Sequence, residues 1–274
     1  MRVGFIGLGI QGGPMARRIA AAGFPTTLWA RRPEALREFA DTAAVFADSP
    51  AELAAASDLV CLCVVSDADV REVLTGPQGV LAGLRPGGIV AVHSTVHPRT
   101  CRELADEVAH QDISFVDAPV TGGGPAAAAG RLTVLAGGAA PTLQRCRPVF
   151  DTYAAQVFHL GPVGSGQVAK ILNNLLFTAN LATADSALTL GRELGLDPVR
   201  LAELFNNGSA ASFALGRMVA AGGTLQSIAT HAGGLLRKDV HLATDLAHQV
   251  DAADGVVFDA AVTTLATMDR LLEQ

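Results

Sequence analysis

Up to about residue 160 the chain alternates short apolar blocks with longer stretches of helical periodicity. The blocks Arg2–Ile6, Pro25–Ala30, Leu59–Val65, Gly88–His93, Ile113–Asp117, Arg131–Ala136 and Gln156–Leu160 are of strand length, bounded mostly by glycine, proline or polar residues. Segments such as Pro14–Gly23 and Ser66–Leu74 lie between them, with apolar residues at helical spacing. A strand–helix–strand rhythm predicts a doubly wound α/β sheet, with ligands bound beyond the strand C-termini. After Leu160 the strand pattern stops. From Gly164 onward only helical periodicity is present, with breaks expected at Gly195, Asn206–Ser209, Gly222–Gly223 and Gly233–Gly234. Residues 164–194 read as one long helix, too uniformly apolar to keep an ordinary solvent face. It is expected to bury itself against the remaining helices and a partner subunit. The reading is therefore an N-terminal Rossmann domain over 1–162 and an all-helical domain with one long helix over 163–274.

Charge narrows the partners. A formal charge of −6 and the lack of any basic run argue against a nucleic-acid surface. No stretch is long and apolar enough for a membrane span, and the N-terminal residues lead straight into a glycine motif rather than a signal-peptide layout. Cys61, Cys63, Cys101 and Cys146 have the spacing of neither a disulfide scaffold nor a zinc site. Buried, reduced cysteines, a cytoplasmic location and no bound metal are expected.

Candidate chemistry begins at Gly7-Leu8-Gly9-Ile10-Gln11-Gly12, a G-x-G-x-x-G run between the first strand and the first helix. In that context the first glycine makes the tight turn and the second admits a pyrophosphate. The third lets helix and strand pack closely, and the helix N-terminus favours the anion. The next strand ends in Trp29-Ala30-Arg31-Arg32, with no carboxylate before Glu34. An NAD-selective site places an acid there for the ribose 2′-hydroxyl, whereas two guanidiniums suit a 2′-phosphate, so NADP is expected over NAD. Val64–Val65, Ser94–Thr95 and Thr121-Gly122-Gly123 also fall at strand C-termini. The last run is either a flexible turn or a nest of backbone N–H groups for a small carboxylate.

In Gly161–Asn174, three glycines lead into the long apolar segment, with Lys170 and Asn174 spaced to share one helical face. Lys170 and Lys238 are the only lysines among 20 basic residues. An ammonium can be tuned to release a proton and a guanidinium cannot, so each lysine is a candidate for a role that arginine does not fill.

Five motifs occur in order: GLGIQGGPMA at 7–16, Ser94-Thr95, DAPVTGG at 117–123, GPVGSGQVAKILNN at 161–174 and Lys238-Asp239. Together they resemble the β-hydroxyacid dehydrogenase family over almost the whole chain. The resemblance implies hydride transfer between NADP(H) and a small β-hydroxyacid or semialdehyde, of the 3-hydroxyisobutyrate or tartronate semialdehyde kind. It implies that Lys170 is catalytic, that Asn174 holds the reacting oxygen, and that Thr121, Gly122 and Gly123 bind the substrate carboxylate. Residues 7–12, Arg31, Arg32, Val64, Val65, Thr95 and Lys238 are expected at the cofactor. A lysine near its ordinary pKa of about 10.4 is a poor base at neutral pH, so burial is expected to lower that of Lys170. With the helical domain available for association, a homodimer or dimer of dimers is expected.

The chain departs from the family pattern at Gln11 (usually Met), at Thr121 (usually Ser), and at Gly124, Ala126 and Ala128 (usually Val, Gly and Glu). Thr230–Leu236 lacks the usual Phe. These changes bear on the substrate rather than the reaction type, and Asn173, Phe177, Ser212 and Phe213 are candidate pocket residues. Two alternatives share the architecture. An imine reductase usually carries Asp or Tyr at the position of Lys170, and a non-catalytic NADP-binding sensor often lacks that lysine.

Overall fold

The computed structural model describes residues 1–252 and 255–273. The chain divides into two compact units, Met1–Lys170 and Ile171–Gln274.

The first unit runs β1 (Val3–Ile6), α1 (Gly12–Ala21), β2 (Thr26–Trp29), β3 (Val45–Phe46), α2 (Pro50–Ala55), β4 (Leu59–Leu62) and α3 (Asp67–Thr75). It continues with β5 (Ile89–Val92), α4 (Pro98–Ala109), β6 (Ser114–Asp117), β7 (Val120–Thr121), α5 (Gly123–Ala128), β8 (Leu132–Gly137), α6 (Ala140–Phe150) and β9 (Ala154–Gly161). Short 3-10 segments span Pro33–Phe39 and Val80–Ala82. The sheet order is β3-β2-β1-β4-β5-β6-β8-β7, with β9 on β8. Strands β3 to β6 are parallel, whereas β8 runs antiparallel to β6 and β7 and pairs β9 in parallel. The strand pairs β3–β2 and β7–β8 extend the sheet beyond the strands expected from periodicity, because each has a member only two residues long.

Strands β1, β4 and β5 are buried along their whole length. Alternation along each strand divides the core between the two faces of the sheet. Phe5, Leu59, Cys61, Ile89 and Ala91 join one cluster, while Ile6, Val60, Leu62, Val90 and Val92 join the other. Register then fixes the functional edge. Trp29, Ile6, Leu62, Val92 and Asp117 form one row across five strands, so the segments following them leave the sheet side by side.

Helix α7 (Ser165–Glu193) carries the chain across the boundary between the units. It starts after Gly164, whose φ is +96°, and ends before Gly195 at φ +85°. Both glycines take the left-handed region at little steric cost. The long helix expected from the sequence is therefore present.

The second unit continues with α8 (Pro198–Asn207), α9 (Phe213–Ala220), α10 (Gln226–His248) and α11 (Val256–Leu272), and no strand occurs in it among the described residues. The break expected at Gly233–Gly234 does not occur, because α10 passes through both glycines. Each glycine costs a helix about 1 kcal/mol. Burial of Ile228, Leu236, Val240 and Leu242, at roughly 1.5–3 kcal/mol per side chain, outweighs that cost.

Candidate active site

The glycine loop leaves β1 on the aligned edge, between the ends of β2 and β4. Gly7 has φ +100°, and a Cβ there would overlap the backbone carbonyl of Cys63 on β4's exit. A Cβ on Gly12, the first residue of α1, would overlap the carbonyl oxygen of Gly7. Gly9, by contrast, has no atom within 4 Å of where its Cβ would stand. A tight turn, open space beside the backbone and the free N-terminus of α1 fit a dinucleotide pyrophosphate. Gln11 makes no capping hydrogen bond, and Ile10 is 87% exposed. Leu8, Gly9 and Ile10 form one wall of an open cleft of about 500 Å³, with Arg32 and Glu34 also lining it.

The two arginines after β2 have different surroundings. Arg32 faces this cleft, whereas Arg31 is drawn to α3, where its Nη2 donates to Asp69 Oδ1 at 2.9 Å and Glu72 Oε2 at 3.0 Å. On the other side of the glycine loop, Val64 is half-buried and Val65 exposed after β4. After β5, Thr95 is half-buried, and the buried hydroxyl of Ser94 has no hydrogen-bond partner among the described residues.

Thr121 ends β7, and Gly122 and Gly123 follow at φ +124° and +75°. These angles turn the chain sharply into the six-residue helix α5. Successive glycines in the left-handed region suit a concave arrangement of N–H groups. One departure from the family pattern has a structural reason. A Cβ on Gly124 would lie 2.9 Å from the carbonyl oxygen of Ile10, so this position lets the Thr121–Gly123 segment approach the glycine loop.

The start of α7 is held by two residues to which sequence reasoning gave no role. Asp117, fully buried at the end of β6, accepts the N–H of Gly164 through Oδ1 at 2.7 Å and that of Gln167 through Oδ2 at 2.8 Å. A carboxylate satisfies orphan donors at a helix N-terminus and complements its dipole. Burial pushes the Asp117 carboxyl above its ordinary pKa, with the N–H groups of Gly164 and Gln167 acting in the opposite sense. Gln167, also fully buried, donates from Nε2 to Ser94 O at 2.8 Å and accepts Val96 N–H on Oε1 at 3.1 Å. These four bonds tie the first turn of α7 to the loops after β5 and β6. The available sequence signal was an acid closing a short, mostly apolar strand and an amide in the first turn of the apolar α7 run.

Lys170 lies one turn beyond Gln167 on α7, and Asn174 a further turn on. In the second unit, Asn174 Nδ2 donates to Asp239 Oδ2 at 2.5 Å, and Asn173 Nδ2 donates to Asn174 Oδ1 at 3.0 Å. Lys238 Nζ stands 3.1 Å from Asp239 Oδ1. Asp239, only 4% exposed, thus links the amide of α7 with the second lysine, a role the Lys238-Asp239 pair did not reveal in the sequence. The candidate pocket residues Phe177 and Phe213 meet at a ring-centroid distance of 6.0 Å, while the Ser212 hydroxyl caps α9. No cluster of metal-ligating side chains occurs among the described residues.

Comparison with known proteins places the chain in a family. A family model described as the NAD binding domain of 6-phosphogluconate dehydrogenase matches residues 2–161. A second, described as NAD-binding of NADP-dependent 3-hydroxyisobutyrate dehydrogenase, matches residues 164–271. The mitochondrial 3-hydroxyisobutyrate dehydrogenase of Mus musculus is 34% identical over 252 residues, covering 89% of this chain and 75% of the mouse protein. The Mycobacterium tuberculosis 3-hydroxyisobutyrate dehydrogenase solved with L-serine superposes with a TM-score of 0.85 at 28% identity, over 98% of this chain and 94% of that one. Psf3 in complex with NADP+ and 2-OPP gives 0.86 at 29% identity, over 98% and 93%. With a glycine loop fitted to a dinucleotide and family models matching both parts of the chain, this protein belongs to the β-hydroxyacid dehydrogenase family, nicotinamide-dependent oxidoreductases acting on CH–OH groups.

Proposed function

We propose that the chain interconverts a small β-hydroxyacid and its semialdehyde, of the 3-hydroxyisobutyrate or tartronate semialdehyde kind, using NADP(H) in preference to NAD(H). The observation that carries this reading is the placement of Lys170 and Asn174 one turn apart on α7, a helix whose start is fixed by Asp117 and Gln167. The NADP+ complex of Psf3 and the NADP-dependent description of the matching family model support the cofactor choice, as do Arg31 and Arg32.

The bound nicotinamide supplies or accepts the hydride. The chain's own residues do the rest. Residues 7–12 hold the pyrophosphate against the N-terminus of α1. Arg31 and Arg32 bind the 2′-phosphate, while Val64, Val65, Thr95 and Lys238 contact other parts of the cofactor. Thr121 and the N–H groups of Gly122 and Gly123 hold the substrate carboxylate. The Asn174 amide positions the reacting oxygen, and Lys170 Nζ gives that oxygen a proton during reduction and removes it during oxidation. The retained Lys170 favours this reading over an imine reductase or a non-catalytic sensor.

The proposed partner is a second copy of the chain. Leu172 and Leu176, one turn apart on α7, are each 55% exposed, an apolar surface for another subunit to cover. Four free cysteines suit a reducing compartment such as the cytoplasm.

Lys170→Ala and Lys170→Arg test the reading. Both should fold and bind NADPH, and both should lose turnover by roughly 10²–10⁴-fold, the usual scale of general acid–base catalysis. Arginine keeps the charge but cannot release a proton near neutrality. If Lys170→Arg retained most of the turnover with an unchanged pH profile, Lys170 would not be the proton donor.

A further inference from the structure

The end of β2 lacks the acid of an NAD-selective site, yet the fold brings two acids to Arg31 from elsewhere. Asp69 and Glu72, on the first two turns of α3, both contact the same guanidinium nitrogen, Nη2, at 2.9 and 3.0 Å. The two acids are held differently. Asp69 belongs to the capping box of α3, where its Oδ2 accepts from the Ser66 N–H at 3.1 Å and the Ser66 hydroxyl at 2.6 Å. The Ser66 hydroxyl, and after it the Arg31 guanidinium, lower the Asp69 carboxyl below its ordinary pKa. Asp69 is therefore a fixed anchor. Glu72 is 70% exposed and has no comparable second attachment among the described residues, so it can turn away from Arg31.

A 2′-phosphate binds guanidinium through charge and bidentate hydrogen bonds. On Arg31 that charge is already offset by two carboxylates. We infer that Glu72 is a specificity-determining residue for the cofactor. By holding Arg31 on the surface of α3 and repelling an incoming 2′-phosphate, it narrows the preference for NADP over NAD. Asp69 sets where Arg31 sits, and Glu72 sets how strongly a phosphate competes for it. This inference rests on the proposed role of Arg31 at the 2′-phosphate.

Equilibrium titration of the full-length protein with 2′,5′-ADP and 5′-AMP isolates the effect of the 2′-phosphate from turnover. Glu72→Gln keeps the size of the side chain and removes its charge. It should bind 2′,5′-ADP about three- to five-fold more tightly than the unmodified protein, the scale of one exposed ion pair, with 5′-AMP affinity unchanged. The gain should shrink as salt is raised. Arg31→Gln provides the reference. A ten-fold loss of 2′,5′-ADP affinity in Arg31→Gln with no change in Glu72→Gln would uphold Arg31 as the phosphate ligand and overturn the role of Glu72. No change in Arg31→Gln would instead remove the underlying assignment of the 2′-phosphate to this residue, and the inference with it. Equal tightening of both nucleotides by Glu72→Gln would also overturn the inference, since the effect would not be one on the 2′-phosphate.

Discussion

Replacing Asp117 by Asn changes the atoms that start α7 while keeping their shape. The carboxylate accepts from Gly164 at 2.7 Å and Gln167 at 2.8 Å. The amide keeps one oxygen and turns an NH2 donor toward the other N–H. One hydrogen bond to a charged group is lost, worth about 1.5–3 kcal/mol, and a buried donor is left facing a donor, at about 1–3 kcal/mol. A neutral side chain also escapes the burial that raises the Asp117 pKa, which offsets part of the loss. A net destabilisation of about 2–4 kcal/mol follows. At about 2–4 °C per kcal/mol for a chain of this size class, Tm should fall by roughly 4–16 °C in differential scanning calorimetry at pH 7. Lys170 stands one turn past Gln167, so loosening this turn moves the proposed proton donor. A misplacement of about 1 Å can cost on the order of 10²-fold in rate. The expected kinetics are therefore a fall in kcat of about 10- to 100-fold, with KM for NADPH changed less than about 3-fold. Gln167→Met, which deletes the bonds to Ser94 and Val96, should move both quantities in the same direction. A melting temperature within about 1 °C of the unmodified protein and an unchanged kcat in Asp117→Asn would refute this account of how α7 is held.

Two further expectations concern the core and assembly. His93 is fully buried, hydrogen-bonded through Nδ1 to Ala118 O at 2.7 Å and through Nε2 to the Tyr153 hydroxyl at 3.2 Å, and burial pushes its pKa down to about 4. The unfolded chain takes up that proton near pH 6.5, so the stability associated with neutral His93 is fully present above that pH and lost as pH falls toward 4. Urea melts of His93→Gln should show about 2 kcal/mol less loss of stability between pH 7.5 and 5 than the unmodified protein, and an identical acid dependence would exclude His93 as its source. For assembly, light scattering should give a dimer or a multiple of dimers, and Leu172→Glu with Leu176→Glu should shift it toward monomer; a monomer at micromolar concentration before mutation would refute the proposed use of this face.

Much of the molecule was legible because it depends on neighbours in sequence. The glycine loop is a local conformation, with Gly7 at φ +100° and Gly12 opening α1. The face shared by Lys170 and Asn174 follows from helical pitch. Strand and helix segments were recognisable because their apolar periods differ. Other features depend on which strand ends meet, and sheet order decides that. Asp117 reaches 47 and 50 residues forward to Gly164 and Gln167, and Arg31 reaches 38 and 41 residues to Asp69 and Glu72. Asn174 meets Asp239 across 65 residues. No window of sequence contains either end of these contacts together with the other. Continuity of α10 through Gly233–Gly234 was likewise settled by packing, since burial of one helix face exceeds the local preference of two glycines to break it. The sequence by itself determined the element types, the dinucleotide loop and the spacing of the lysine and amide. Tertiary structure decided what fixes α7 in place and what surrounds Arg31, because both depend on buried or paired charges whose partners are brought together by the sheet.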